Sequence, residues 1–173
     1  LSARNLSDKV ASIHLFAPAC SVQFAVRHYA PQHTLMQRLY LRILSDRVER
    51  DDNVAAVYRK SLLYMVSDAL EADLRTPILG MANAFKPDYG GWDGTSSTGD
   101  TLKSWRQAVD AAGLVRDGRL VIEDHDRVLT ALPARTIPAA HGCFDNDIAT
   151  LTDALVHITG APLKMPVDDL RGF

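Results

Sequence analysis

Only two cysteines, Cys20 and Cys143, occur in the 173 residues. That is too few for a disulfide framework, and neither sits in a Cys-x-x-Cys pair or a Cys/His array with zinc-site spacing. A reducing compartment, the cytoplasm, is the expected setting, and the pattern implies no metal and no cofactor. Long apolar runs are also missing. Stretches such as Ser61-Leu62-Leu63-Tyr64-Met65-Val66 fall far short of the roughly 20 residues that cross a bilayer, which argues against an integral membrane protein. Charge of one sign is lacking too: 19 Lys and Arg stand against 21 Asp and Glu, for a formal net charge of -2. The basic residues are spread along the chain, so no field draws in a polyanion, and nucleic acid is not an expected partner. No basic segment followed by an apolar one opens the chain, so no signal peptide is visible.

What is there is 47% apolar, enough to build one core in a domain of this length. Residues 1–8 mix Leu1, Ala3 and Leu6 with polar residues and read as the tail of a helix. Val10-Ala11-Ser12-Ile13-His14-Leu15-Phe16 is short, apolar and stopped by Pro18, as a buried strand is. A helix tail leading straight into a core strand carries the expectation that an N-terminal part of the same fold is missing. Arg38-Leu39-Tyr40-Leu41-Arg42-Ile43-Leu44 alternates before filling in, which predicts a strand with one better-covered face. The charged run Asp46 to Asn53 reads as a loop, with Asp52 or Asn53 capping a helix over about residues 54–74. Strand, polar loop and helix make half of a βαβ unit.

Residues 76–99 are rich in Gly and Pro, have no period, and read as a long surface loop or lid-like insertion. A short amphipathic helix over residues 101–112, with Leu102, Trp105 and Val109, is closed by Gly113. Asp117-Gly118 between two apolar runs is a hairpin signal. Residues 134–140 form a weak final strand, and residues 147–160 a helix with Ile148, Leu151, Leu155 and Ile158 on one stripe. The expected architecture is a single α/β domain over residues 1–160, with an insertion at about 76–122 and a tail at 161–173.

Two places can carry chemistry. His141-Gly142 follows an apolar strand and precedes a capped helix, so its imidazole is expected at the C-terminal edge of a sheet, where open α/β folds bind ligands. The other histidines, His14, His28, His33, His125 and His157, read as structural or exposed. Asp46 follows the strand ending at Leu44, and Asp51 and Asp52 share its segment. A carboxylate there can orient an imidazole and stabilise its charged form, as the acid of a Ser-His-acid triad does. The same run also reads as a solvated, helix-capping loop, and position alone does not choose among the three. Cys143 lies two residues past His141, but nothing marks either thiol as activated. Trp92, Trp105 and Tyr89 fit core or lid packing better than a ligand cleft.

In this order of parts, and in Phe16-Ala17-Pro18-Ala19-Cys20, Ser45 to Asn53, Lys60-Ser61-Leu62-Leu63-Tyr64 and Ala140-His141-Gly142-Cys143-Phe144-Asp145-Asn146-Asp147, the chain resembles the C-terminal half of an α/β-hydrolase. The resemblance runs over about residues 1–160. It implies a mostly parallel sheet flanked by helices, and hydrolysis of an ester-like or other acyl substrate. His141 would be the base and Asp46 or Asp51 the acid. The Gly-x-Ser-x-Gly elbow that holds the serine nucleophile in such enzymes belongs upstream and is absent here. Gly94-Thr95-Ser96-Ser97-Thr98-Gly99 lacks a glycine at the right offset. The reading from another class is a non-catalytic α/β binding or interaction module.

An imidazole and a carboxylate without a nucleophile cannot form an acyl-enzyme. The 173 residues alone are therefore expected to leave a p-nitrophenyl ester intact. Turnover by the purified chain, lost in His141→Ala, would contradict a nucleophile that lies upstream.

Overall fold

The computed structural model describes residues 9–52, 61–72, 75–86, 96–124, 129–132, 135–137, 142–165 and 167. The alternation in residues 38–44 sets the centre of the fold. Strand β2 (Leu39–Leu44) buries Leu39, Leu41 and Ile43 on one face and directs Tyr40, Arg42 and Leu44 to the other. It pairs in parallel with β1 (Ile13–Phe16) on one side, Ile13 opposite Leu39. On its other side it pairs in parallel with β3 (Leu120–Glu123), Leu41 opposite Leu120. The sheet order is β1-β2-β3. Parallel strands need crossover connections, and these supply the flanking helices.

One face of the sheet packs on α1 (Val22–His28) and α5 (Ser96–Ala111). Val22 and Ala25 of α1 and Leu102, Trp105 and Val109 of α5 bury with Leu39, Leu41 and Leu79 in the main core. Trp105 is thus a core residue. Between α1 and β2 lies the single turn α2 (His33–Met36), which adds Met36 to that core. The opposite face carries a second cluster of Leu44, Val48, Leu63, Tyr64, Met81, Cys143 and Phe144, with Phe16 against it. Helix α6 (Ile148–Thr159) lies over this face, capped by Asp147 and closed by Gly160 in the left-handed conformation at φ 66°. Strands β4 (Leu129–Leu132) and β5 (Arg135–Ile137) form a separate antiparallel pair.

Several expectations are corrected. The run after Leu44 is a helix, α3 (Asp46–Asp51), because Ser45 caps it: its hydroxyl accepts from Val48 N at 3.3 Å. Asp52 closes that helix. The next described helix is α4 (Leu62–Met65), which passes into a π-turn at Val66–Leu70. Asp117-Gly118 makes no hairpin. Gly118 is left-handed at φ 68°, as the signal required, yet the chain before it winds out of α5 in turns that bury Leu114. The strand after it pairs with β2 instead. Residues 120–122, expected at the end of an insertion, are therefore main-sheet strand. Among the last residues, Arg135–Ile137 is a strand, but it pairs with β4. On α6 the expected apolar stripe is not the buried face. Thr150 and Ala154 are buried, whereas Leu155 and Ile158 are exposed.

Nor is the segment after Thr76 a surface loop where it is described. Ile78, Leu79, Met81, Ala82, Asn83 and Ala84 are all buried. Its backbone is stitched to the start of α1 and to the end of β2. Leu79 N donates to Cys20 O and Gly80 N to Pro18 O, both at 2.8 Å, and Met81 bridges Leu44 in parallel. A Cβ on Gly80 would stand 2.6 Å from Ala17 C and 2.8 Å from Pro18 N. Gly80→Ala is therefore expected to cost about 1–3 kcal/mol, the range for overpacking against unyielding atoms. An unchanged urea midpoint would contradict that close approach.

Candidate functional site at the C-terminal edge

Because all three strands of the sheet run the same way, Phe16, Leu44 and Glu123 end at one edge. Asp46 stands one residue beyond Ser45 at that edge, in the first turn of α3, where the partial positive charge of a helix N-terminus favours a carboxylate. Its side chain is only 18% exposed. Three donors from three segments converge on it. The Tyr64 hydroxyl donates to Oδ1, Asn83 Nδ2 donates to Oδ1 at 3.2 Å, and Arg50 Nε approaches Oδ2 at 3.1 Å. Arg50 Nε also donates to the Tyr64 hydroxyl at 2.9 Å.

The magnitudes separate these contacts. Arg50 is half exposed, and an i,i+4 ion pair in water is worth about 0.3–0.5 kcal/mol. The contacts from Tyr64 and from the fully buried Asn83 are sheltered and fix the carboxylate plane. Burial, and then the bond to Asp46, push the Tyr64 phenol well above its usual value, so it remains a donor throughout the neutral range. A carboxylate offers about four acceptor sites, and three are occupied here.

Beside Asp46 lies an open depression of about 650 Å³. Asp46, Asp51 and Asp124 line it together with Arg47, Arg50 and Lys86. Arg47 crosses it from α3 to the residue after β3, donating to Asp124 O at 3.0 Å. Asp51 is exposed on the last turn of α3 and Asp52 is half-buried beyond it. Among the described residues, Asp46 is the aspartate of the three for which donors from two other segments, Tyr64 and Asn83, are seen.

His141, His125, Tyr89 and Trp92 lie outside the described residues. Residues 142–165 are described, and their start is anchored in the cluster beside β2. Cys143 and Phe144 are buried in the cluster that holds Leu44, Val48 and Tyr64, and the Phe144 ring stacks on Phe16 with centroids 5.9 Å apart. Asp145 is exposed. Cys20 is half-buried, and burial pushes its thiol up, away from the thiolate a nucleophile needs. Ser96 opens α5, and residues 87–95 before it lie outside the described residues.

Sequence reasoning did not find Tyr64, Asn83 or Asp147. Asp147 caps α6, with Oδ2 accepting from Thr150 N at 3.1 Å and from Thr150 Oγ1 at 2.6 Å. Its Oδ1 is buried with no hydrogen-bond partner among the described residues. The cap was legible from Asp before an apolar-periodic run. The donors to Asp46 were not, because they come from 18 and 37 residues away. Among the described residues, no three His, Cys, Asp or Glu side chains gather to hold a metal ion.

Comparisons with protein-family models, with curated proteins and with solved structures each returned no match.

Tyr64→Phe removes one sheltered donor and leaves the ring in place, so it is expected to cost about 1–3 kcal/mol in urea unfolding, the range for an unmet buried polar group. No loss would mean that the hydroxyl is not a partner of Asp46.

Proposed function

We propose that this chain supplies the base and the orienting acid of a Ser-His-Asp hydrolase acting on an ester-like or other acyl bond. The nucleophilic serine stands N-terminal to Leu1, in the part of the α/β-hydrolase-like fold expected upstream. The observation that carries the reading is the shared apolar cluster: Cys143 and Phe144 pack with Leu44, Val48 and Tyr64, and the Tyr64 hydroxyl bonds Asp46. His141 is two residues from Cys143, at most about 7 Å of extended chain, and the proposal has its imidazole reach that carboxylate. Asp46, its plane held by Tyr64 and Asn83, keeps an acceptor site for an imidazole N–H. In this reading it fixes the tautomer and steadies the imidazolium, while His141 takes the proton from the serine and returns it to the leaving group. Asp51 is the alternative acid from the same helix. The charged lining of the adjacent depression favours an acyl substrate with polar groups on it.

The free edge of β1 belongs to the same proposal. Among the described residues β1 pairs only with β2, and a further strand from the upstream part would complete the sheet there.

A second reading is favoured by the same carboxylate. With three acceptor sites of Asp46 occupied by the chain's own donors, the network also serves a non-catalytic binding or interaction module, in which Asp46 only ties α3 to α4 and to residues 82–85.

The two readings part in the protein extended upstream of Leu1. If the triad operates, Asp46→Asn is expected to lower kcat on a p-nitrophenyl ester by about 10⁴-fold with little change in KM, as loss of the tautomer-fixing acid does, and His141→Ala to abolish turnover. An Asp46→Asn protein that is merely less stable, with kcat unchanged, would refute Asp46 as the acid. Absence of turnover in the extended protein, with no serine modified by a fluorophosphonate, would leave the binding module.

A further inference from the structure

The sheet face beneath α6 is not apolar at its centre. His14 of β1 and Tyr40 of β2 stand in register and stack with ring centroids 4.7 Å apart. His157 of α6 closes the group, 4.2 Å from the Tyr40 ring and 5.8 Å from that of His14. The Ser12 hydroxyl lies 3.1 Å from His14 Nε2. Next along β2, Arg42 NH1 donates to Glu123 Oε1 at 3.0 Å and NH2 to Asp153 Oδ2 of α6 at 2.8 Å. Arg119 lines the small cavity between these groups, but its guanidinium is spent on the carbonyls of Met36, Leu39 and Ala112. Strand β4 also lies against α6 and, as Leu-Thr-Ala-Leu, brings no charge.

The polar contacts of α6 with the sheet are a stack of rings, in which His157 stays exposed, and one ion pair, whose Asp153 side chain is 58% exposed. Of its apolar residues Leu155 is 39% and Ile158 54% exposed, Ile148, Leu151 and Val156 are half-buried, and the buried residues of the helix are Thr150 and Ala154. Burial of a small Ala and a Thr contributes far less than burial of the Leu and Ile that face outward.

We infer that the docking of α6 on the sheet is a proton-sensitive latch: with His14 neutral the helix is held, and a proton on His14, beside the His157 ring and Arg42, releases it. A charge on the part-buried His14 would stand within 6 Å of the His157 ring and beside Arg42, whose charge Glu123 and Asp153 already engage. Burial, and after it the proximity of His157 and of Arg42, hold His14 below the ordinary histidine value. The sign follows. A base whose folded value is depressed takes up its proton more readily once released, so the latch is fully closed above about pH 6.5 and weakens as pH falls below it. A proton taken up by His14 on release raises the undocked fraction by up to about tenfold per pH unit below that value. The released helix would carry with it the Asp147 cap and the chain leading back to Gly142, so acidification reaches the C-terminal edge of the sheet.

Native-state amide exchange of this chain at pH 7.5 and pH 5, corrected for the intrinsic pH dependence of exchange, tests the latch. The expected result is a loss of protection for residues 148–159 of up to about thirtyfold, with β2 unchanged, and a flat response in a His14→Phe, His157→Phe double variant, which keeps the rings and removes the charges. Equal protection of α6 at both pH values, a fall of β2 in step with α6, or a pH response that survives in the double variant would overturn it. Should that variant fail to fold, the ring titrations of the unaltered chain decide by NMR: His14 is expected below about 6.5, and a value at or above it rejects the latch.

Discussion

A single buried cation holds the alignment on which the rest of the structure depends. The Arg119 guanidinium donates to Met36 O at 2.8 Å, to Leu39 O at 3.1 Å and to Ala112 O. It thereby joins the end of α2, the start of β2 and the exit from α5, and its own carbonyl accepts from Leu41 N at 2.8 Å. Three backbone carbonyls accept from one side chain, and a planar fork suits them where an ammonium would not. Because Arg119 immediately precedes β3, these bonds fix where β3 begins against β2. The register brings Glu123 opposite Leu44 and so sets the common edge.

That edge and the face behind it are organised by polar contacts made across long sequence separations. Asp46 gathers donors from α4 and from the 82–85 turn, and Arg42 gathers carboxylates from β3 and α6. The two networks lie on the same side of the sheet, on alternate residues of β2 and the helix that follows it. Apolar packing through Phe16, Leu44, Tyr64 and Phe144 occupies the space between them. A change in how α6 sits is therefore felt along the chain that precedes it, through Asp147 and the buried Cys143 and Phe144.

The central strands and the amphipathic helix of α5 were legible because their signals are local: period-two alternation at residues 38–44, and Leu102, Trp105 and Val109 at helical spacing. The position of Asp46 after a strand was legible for the same reason. The misreadings arose where tertiary partners override local chemistry. Ser45 capped a helix in a run that looked like loop because of its charge. Gly118 took the left-handed turn that Asp-Gly calls for, but the strand beyond it found β2 as a parallel partner. The Gly- and Pro-rich residues 77–84 are buried because Gly80 lets the backbone pass against Ala17 and Pro18. On α6 the apolar stripe was read correctly as a stripe, yet Tyr40 and Arg42 on the facing strand select His157 and Asp153 instead. Nothing in the sequence of one helix records the polarity of the sheet face it meets.

His141 and Asp46 are proposed to act as one unit, and the separation of their side chains in an experimental structure of this chain measures this directly. The account requires an imidazole nitrogen of His141 within hydrogen-bond distance, about 3 Å, of the Asp46 carboxylate, or of Asp51 if the end of α3 turns inward. An imidazole facing solvent or the apolar core, with Asp46, Asp51 and Asp52 all beyond the reach of a bridging water, would contradict it.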